Sequence, residues 1–311
     1  MKDLPLVSII IPTYNRAKLI PETLDSVLAQ GYKNWECLVV DDGSLDDTDK
    51  ILKKYCVKDF RFKYFKRPHD RLPGGNAARN YGFELSKGKY IQWFDDDDLM
   101  SPNKIENKVR SFLEDNVDLV ISKSKYFNSE AEFYHYAYTA KDISFESFAM
   151  GNVSWVTNDF MISRDIAKDI SFNENLRAGQ EYNYCCKALL QTSRISFIDK
   201  FLTLRRDNQD SIGSNRRLYK LKHFTSKFNA YWLNYIDISN LTKHKKFERF
   251  SLITCVSYYL RSRNRIQIPS SFYRRLIKVF GYRSIYFFLA RLSNFFFGKY
   301  YYFYKRFKGV K

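Results

Sequence analysis

Four consecutive carboxylates, Asp95–Asp98 in WFDDDDLMSP, follow directly on the apolar run YIQWF at 90–94. Like charges packed that tightly repel, and the run before them reads as a strand ending inside the protein. A hard divalent cation relieves the repulsion. Mg²⁺ and Mn²⁺ prefer oxygen ligands, bind through one or two protein carboxylates, and take the remaining ligands from substrate phosphates. The plainer alternative is a solvated acidic loop favouring the N-terminus of the next helix, but four charges exceed what one helix start requires. A second acidic pair, Asp41 and Asp42 in DDGS, ends the apolar run ECLVV at 36–40. It is either a turn that caps the next helix through Gly43 and Ser44, or a carboxylate acceptor for a nucleotide base or ribose. PTYNR at 12–16 ends a third run, VSIII. It reads as a strand-to-helix turn capped by Asn and Arg, or as a third wall of the same crevice.

The elements that must position these groups follow from periodicity. VSIII and ECLVV are continuous β-branched runs, the mark of strands covered on both faces. Ile20, Leu24, Val27 and Leu28 recur at helical spacing behind Pro21, which suits a first helical turn. Ile51, Leu52 and Tyr55 mark a second helix, FRFKYF at 60–65 a less buried strand, 76–86 a third helix and YIQWF another strand. Strand–helix alternation with short connections implies a parallel, doubly wound α/β sheet. Ligands of such sheets bind beyond the carboxyl ends of the strands, where PTYNR, DDGS and DDDD all fall. Beyond the acidic run, Ser101 as N-cap and Pro102 at the first helical position open a helix to about Asn116. DLVIS (118–122) is a strand, 124–160 has no clear period, a helix lies near 180–191 and a strand near 195–204.

Composition narrows the class. The chain has 311 residues, 45% of them hydrophobic, and no low-complexity tract, so most of it is expected to be globular. The apolar run near the N-terminus is interrupted by Pro12 and is too brief for a signal peptide. Five cysteines with no CxxC pair read as reduced thiols in a cytosolic protein. The four scattered histidines suggest neither a zinc site nor a nucleophile–base pair. The net charge of +18 is uneven: no Asp or Glu follows Glu248, and residues 249–311 carry 14 Lys/Arg and 19 Phe/Tyr.

VSIIIPTYNR, LVVDDGS, GGNAARNYG and GKYIQWFDDDDLMSP occur in the order and at the spacing of the family 2 glycosyltransferases, which the chain resembles over roughly residues 5–215. The resemblance implies the GT-A fold: a nucleotide-binding half at 1–100, an acceptor half at 101–215, and an Asp-x-Asp metal motif between them. Asp95 and Asp97 would be the motif carboxylates for Mn²⁺ or Mg²⁺, with Asp97 the direct ligand. Asp98 would orient the loop or a water. Asp96 stands where the family usually has a small residue. Pro12, Tyr14 and Asp42 would hold the base and ribose of a nucleotide-sugar donor, and Arg71 or Arg79 would lie close to that donor. In FNENLRAGQEYNY (172–184), Glu181 occupies the position of the family's catalytic base, one methylene longer than the usual Asp. LRRDNQDSIGS (204–214) resembles the loop that closes over the diphosphate, with Arg206 pairing with phosphate there, although the histidine frequent in that loop is missing.

Residues 216–311 read as a helical, basic, aromatic extension. Arg283, Arg291 and Lys299 interrupt its apolar faces, which argues against a spanning helix of about 20 mostly uncharged residues. The pattern fits a segment lying in an anionic membrane surface, and aromatic rings suit that interface. An ordinary helical cap or an oligomer contact is the simpler account, and single-stranded nucleic acid a further one. The whole implies an inverting, metal-dependent transfer from a nucleotide sugar, of which a UDP-sugar is expected. The acceptor would be a lipid-linked or polysaccharide glycan at the inner face of a plasma membrane. The other classes are a nucleotidyltransferase, which would favour a Gly-rich, Lys/Arg-containing phosphate loop after the first strand, and a non-catalytic basic binding protein.

Overall fold

A computed structural model of the protein describes residues 4–127, 142–207 and 220–309. The chain divides into two compact units, one of Met1–Asn175 with Gln180–Asn208 and one of Leu176–Gly179 with Gln209–Lys311.

In the first unit the order is β1 (Val7–Thr13), α1 (Ile20–Leu28), β2 (Trp35–Asp41), α2 (Thr48–Lys58), β3 (Phe62–Lys66), α3 (Gly75–Leu85) and β4 (Tyr90–Trp93). There follow β5 (Leu99–Met100), α4 (Lys104–Asp115), β6 (Leu119–Tyr126), α5 (Phe145–Ala149), β7 (Phe160–Ser163), α6 (Arg164–Ala167), α7 (Gln180–Gln191) and β8 (Ile195–Arg205). One eight-stranded sheet has the order β3-β2-β1-β4-β7-β6-β8-β5. β1, β2, β3 and β4 pair in parallel, as the alternation of periods predicts. Every residue of β1 and β2 is buried, which is why both read as unbroken apolar runs rather than alternating ones.

The other half of the sheet is mixed. β7 runs antiparallel between β4 and β6, while β6 and β8 are parallel. β7 is four residues long and β5 two, too short for a period to register, so sequence reading passes over both. β5 also moves the start of the next helix: Leu99 and Met100 pair with Leu204 and Thr203 of β8. The helix therefore opens at Lys104 behind Asn103, two residues later than the Ser101-Pro102 signal suggests. α3 lies close on the parallel sheet because of Gly82; a Cβ there would stand 2.5 Å from Ile10 Cγ2. All five cysteines are free thiols.

The second unit is helical over its described residues: α8 (Lys220–Leu241), α9 (Lys245–Arg261), α10 (Ser270–Phe280), α11 (Ser284–Phe297) and α12 (Tyr301–Lys308).

Candidate active site

The parallel register brings the ends of β1, β2 and β4 side by side. Thr13 pairs with Asp41, and Ile10 with Trp93. The residues that follow each strand therefore face one crevice, and cross-links between loops hold it. Asn15, at a φ of 52°, accepts the Leu45 N–H on its Oδ1 at 2.8 Å, while its own N–H donates to Ser44 Oγ at 2.8 Å.

Asp41 and Asp42 divide their work. Asp41 is buried. Its Oδ1 accepts the N–H groups of Gly43 (3.1 Å) and Ser44 (2.8 Å), and its Oδ2 accepts the Tyr64 hydroxyl at 3.1 Å. It is the turn-capping member of the pair, and Gly43, at a φ of 102°, supplies the left-handed backbone that turn requires. Asp42 accepts the Gly74 N–H at 2.9 Å and forms an ion pair with Arg67.

The four carboxylates of the acidic run separate by burial. Asp95 and Asp97 keep 34% and 22% of their side chains exposed; Asp96 and Asp98 keep 11% and 5%. Asp95 pairs with Arg79 Nη2 at 2.7 Å. Arg16 spans the next two, Nε to Asp96 at 3.3 Å and Nη2 to Asp97 at 3.7 Å. Asp98 turns inward, accepting Asn158 Nδ2 at 2.5 Å and the Arg206 N–H at 2.8 Å. Burial pushes the Asp98 carboxyl up to about 8 and the Asp96 carboxyl up to about 7, with the neighbouring acids adding to both rises. Asp96, the departure from the family pattern, is matched by Arg16, which reaches it from the loop after β1.

Asn158, just before β7, organises this loop from below. Its Oδ1 accepts the Asp95 N–H at 2.9 Å while its Nδ2 holds Asp98. Its carbonyl accepts Lys104 Nζ at 2.6 Å, and the same ammonium donates to Thr203 Oγ1. Lys104 is fully buried, and burial lowers it to about 8 against the pull of Asp159, Asp98 and Asp95. A buried cation under the loop offsets part of the repulsion among the acids above it.

The remaining residues singled out from sequence are placed as follows. Pro12 is buried in β1 and Tyr14 is exposed beyond its end. Arg79 is buried, on Asp95 and 5.3 Å from the Phe172 ring. Arg71 points elsewhere, to Glu84 at 2.5 Å and over the Tyr81 ring. Arg206 donates to Glu22 at 2.7 Å and to the Asp97 carbonyl at 3.2 Å, so it ties the acidic loop to α1. Residues 208–214 of the loop expected over the diphosphate lie outside the described residues. Glu181 sits in the first turn of α7. That helix is anchored beside β4 by Tyr184, whose ring meets Trp93 at 5.6 Å and stacks on Phe172 at 4.2 Å.

Arg67, Arg16 as an ion-pair partner, Lys104 and Asn158 were not legible as site residues. Arg67 had a signal: in parallel pairing, the residue after β3 must lie near the residue after β2. Asn158 had none, since it is 60 residues from Asp98 in a stretch without periodicity.

Among the described residues no group of three or more His, Cys, Asp and Glu is arranged to hold a metal ion. Two partly exposed carboxylates two residues apart nonetheless fit the mode in which Mg²⁺ or Mn²⁺ takes one or two protein oxygens and completes its shell from phosphates and water.

The sequence profile of the family described as Glycosyl transferase family 2 matches residues 8–176. Glycosyltransferase GlyG of Streptococcus pneumoniae is 30% identical over 223 residues, covering 67% of this chain and 72% of that protein. An uncharacterized glycosyltransferase of Rickettsia bellii is 33% identical over 71% of this chain, which spans only 32% of that relative's length. Among solved structures, S. aureus TarS 1–349 in complex with UDP-GlcNAc has a TM-score of 0.67 at 18% identity, covering 97% of this chain and 89% of that one. Mannosyltransferase PcManGT from Pyrobaculum calidifontis, in complex with GDP-Man and Mn²⁺, has a TM-score of 0.56 at 15% identity, covering 95% and 88%. At these identities the structural likeness is one of fold.

Proposed function

Because the chain belongs to the family 2 glycosyltransferases and has their GT-A fold, we propose that it moves one sugar, with inversion, from a UDP-sugar to a glycan acceptor. The observation that carries this reading is the sorting of the acidic run, in which Asp95 and Asp97 stay partly exposed while Asp96 and Asp98 are buried. UDP-GlcNAc in TarS and Mn²⁺ in PcManGT support the donor class and the ion.

In this reading residues 1–100 bind the nucleotide and 101–215 the acceptor. Pro12, Tyr14 and Asp42 hold base and ribose, and Asp95 and Asp97 would hold Mn²⁺ or Mg²⁺, which would supply positive charge toward the diphosphate. Glu181 accepts the proton of the acceptor hydroxyl as its oxygen bonds to the anomeric carbon. The bond from that carbon to the diphosphate breaks, and UDP leaves with the electron pair. Arg16 and Arg79, ion-paired with the motif carboxylates, are the cations assigned to oppose negative charge on the leaving group. Arg206, bound to the Asp97 carbonyl, keeps the loop on α1. The acceptor is a lipid-linked or polysaccharide glycan, used at the inner face of a plasma membrane.

Release of free nucleotide from a panel of nucleotide sugars, with and without Mn²⁺, tests the reading. Turnover restricted to one UDP-sugar and abolished in Glu181→Gln, with the fold retained, is the expected result. Normal turnover in that variant would overturn the assignment.

A further inference from the structure

The extension beyond residue 248 has more basic and aromatic residues than its own packing uses, and the helices show which are left over. α10 has an apolar stripe at helical spacing, but Phe272, Leu276 and Phe280 are buried, with Phe272 against Phe228 and Phe287 at 5.5 and 6.3 Å. That face belongs to the core of the second unit. The corner between α11 and α12 is different. Phe295, Phe296 and Phe297 on the last turn of α11 are 74%, 68% and 74% exposed, and Tyr301 and Tyr302 at the start of α12 are 68% and 61% exposed. Successive helical residues point about 100° apart, so a helix packed on a core can shelter one or two of three consecutive rings; here all three are in solvent.

The corner is held from within the unit. Asn294 donates to the Leu260 carbonyl at 2.8 Å and to Asn264 Oδ1 at 3.0 Å, and the Ser293 hydroxyl donates to the Lys299 carbonyl. Phe307 of α12 is buried 4.4 Å from Phe280. Lys299, Arg306 and Lys308 are exposed, Arg306 lying 4.9 Å over the Tyr302 ring and Lys308 5.5 Å over that of Tyr304, and no acidic residue follows Glu248.

We propose that the α11–α12 corner is a docking site for an anionic lipid bilayer, with Phe295–Phe297 entering the interface and Lys299, Arg306 and Lys308 meeting the headgroups. Aromatic rings sit well at the boundary between headgroups and acyl chains, and clustered Lys/Arg beside an apolar face adds attraction to anionic lipid. In a symmetric contact a second copy of this chain would present the same basic surface and be repelled, whereas an anionic bilayer is complementary in both charge and polarity. Among the described residues no helix is long and apolar enough to cross a membrane, so contact is made from one side. This deepens the lipid-linked acceptor reading, on which it rests, by locating the contact in a rigid corner rather than along a helix lying flat.

The test is flotation of the full chain with phosphatidylcholine vesicles, with and without phosphatidylglycerol. Binding is expected only to the mixed vesicles, weakening with salt. It should fall about tenfold or more in the combined Phe295→Ser, Phe296→Ser, Phe297→Ser variant and, separately, in Lys299→Glu with Arg306→Glu. Wild-type chain that binds neither vesicle, or a triple serine variant that binds as wild type, overturns the proposal. So does self-association abolished by the serines in the absence of vesicle binding. Hydrolysis of soluble donor, measured on the same samples, separates this result from the catalytic reading, because the corner variants should retain it.

Discussion

The acidic crevice of the first unit and the aromatic corner of the second handle surplus charge in opposite ways. In the crevice each carboxylate meets a partner inside the fold: Asp42 with Arg67, Asp95 with Arg79, Asp96 with Arg16, Asp98 with Asn158. Beyond Glu248 the basic residues have no acid in their own segment. The difference is instructive. Charge that is satisfied internally is arranged for geometry, because its partners fix side-chain direction. Several of the cations beyond Glu248 lie over aromatic rings instead, Arg249 over Phe280 and Arg306 over Tyr302. Burial follows the same division, since Lys104 is enclosed beneath the acids while the corner's cations are in solvent.

The largest effect expected from breaking this contrast is at the motif itself. Asp97→Ala should cut transfer from a nucleotide sugar by about 100-fold or more, with a thermal midpoint close to wild type, because that side chain is partly exposed. Next is Asn158→Ala, which removes donor and acceptor together and leaves Asp98 buried without its amide. A loss of about 2–4 kcal/mol in urea unfolding is expected, accompanied by lower turnover; unchanged unfolding would mean the loop is not held from below. The arginines sharpen the comparison further. Arg79→Ala should slow steady-state turnover by about tenfold or more, since it removes a charge-assisted bond on Asp95. Arg71→Ala should change it less than about twofold, because its pair with Glu84 lies partly in solvent.

A smaller effect concerns pH. Burial would raise the Glu36 carboxyl, but hydrogen bonds from Lys63, the Ser8 hydroxyl and the Lys87 N–H, with the Lys63 charge, outweigh it and hold the group below its ordinary value. The unfolded chain then binds the proton more readily than the folded one. The stabilisation is present above the ordinary carboxyl range and is lost as pH falls through the lower folded value. Glu36→Gln should therefore show a shallower acid loss in denaturation curves taken across a pH series. The smallest effect is expected at the corner, where serine at 295–297 should leave stability within about 0.5 kcal/mol. A large drop in melting temperature there would show that the rings belong to the core after all.

Most of the parallel half of the sheet was legible because strand and helix periods are local. Val7–Thr13 and Trp35–Asp41 announce themselves by composition, and their alternation with Ile20–Leu28 and Thr48–Lys58 leaves little freedom of topology. The mixed half was not, since β5 and β7 are too short to carry a period and are strands only by virtue of their neighbours. The apolar faces of the extension were visible, but not which surface each would cover.

The sequence by itself determined that three polar motifs would gather at strand carboxyl ends and that the last 63 residues would be basic and acid-free. Only the tertiary structure decided which two of four adjacent carboxylates stay partly exposed, that Arg79 rather than Arg71 pairs with one of them, and that Asn158 holds the loop. The physical reason is range. A period or a charge count is written in neighbouring residues. The direction and burial of a side chain are set by partners brought together from far along the chain, 60 residues for Asp98 and Asn158 and 80 for Arg16 and Asp96.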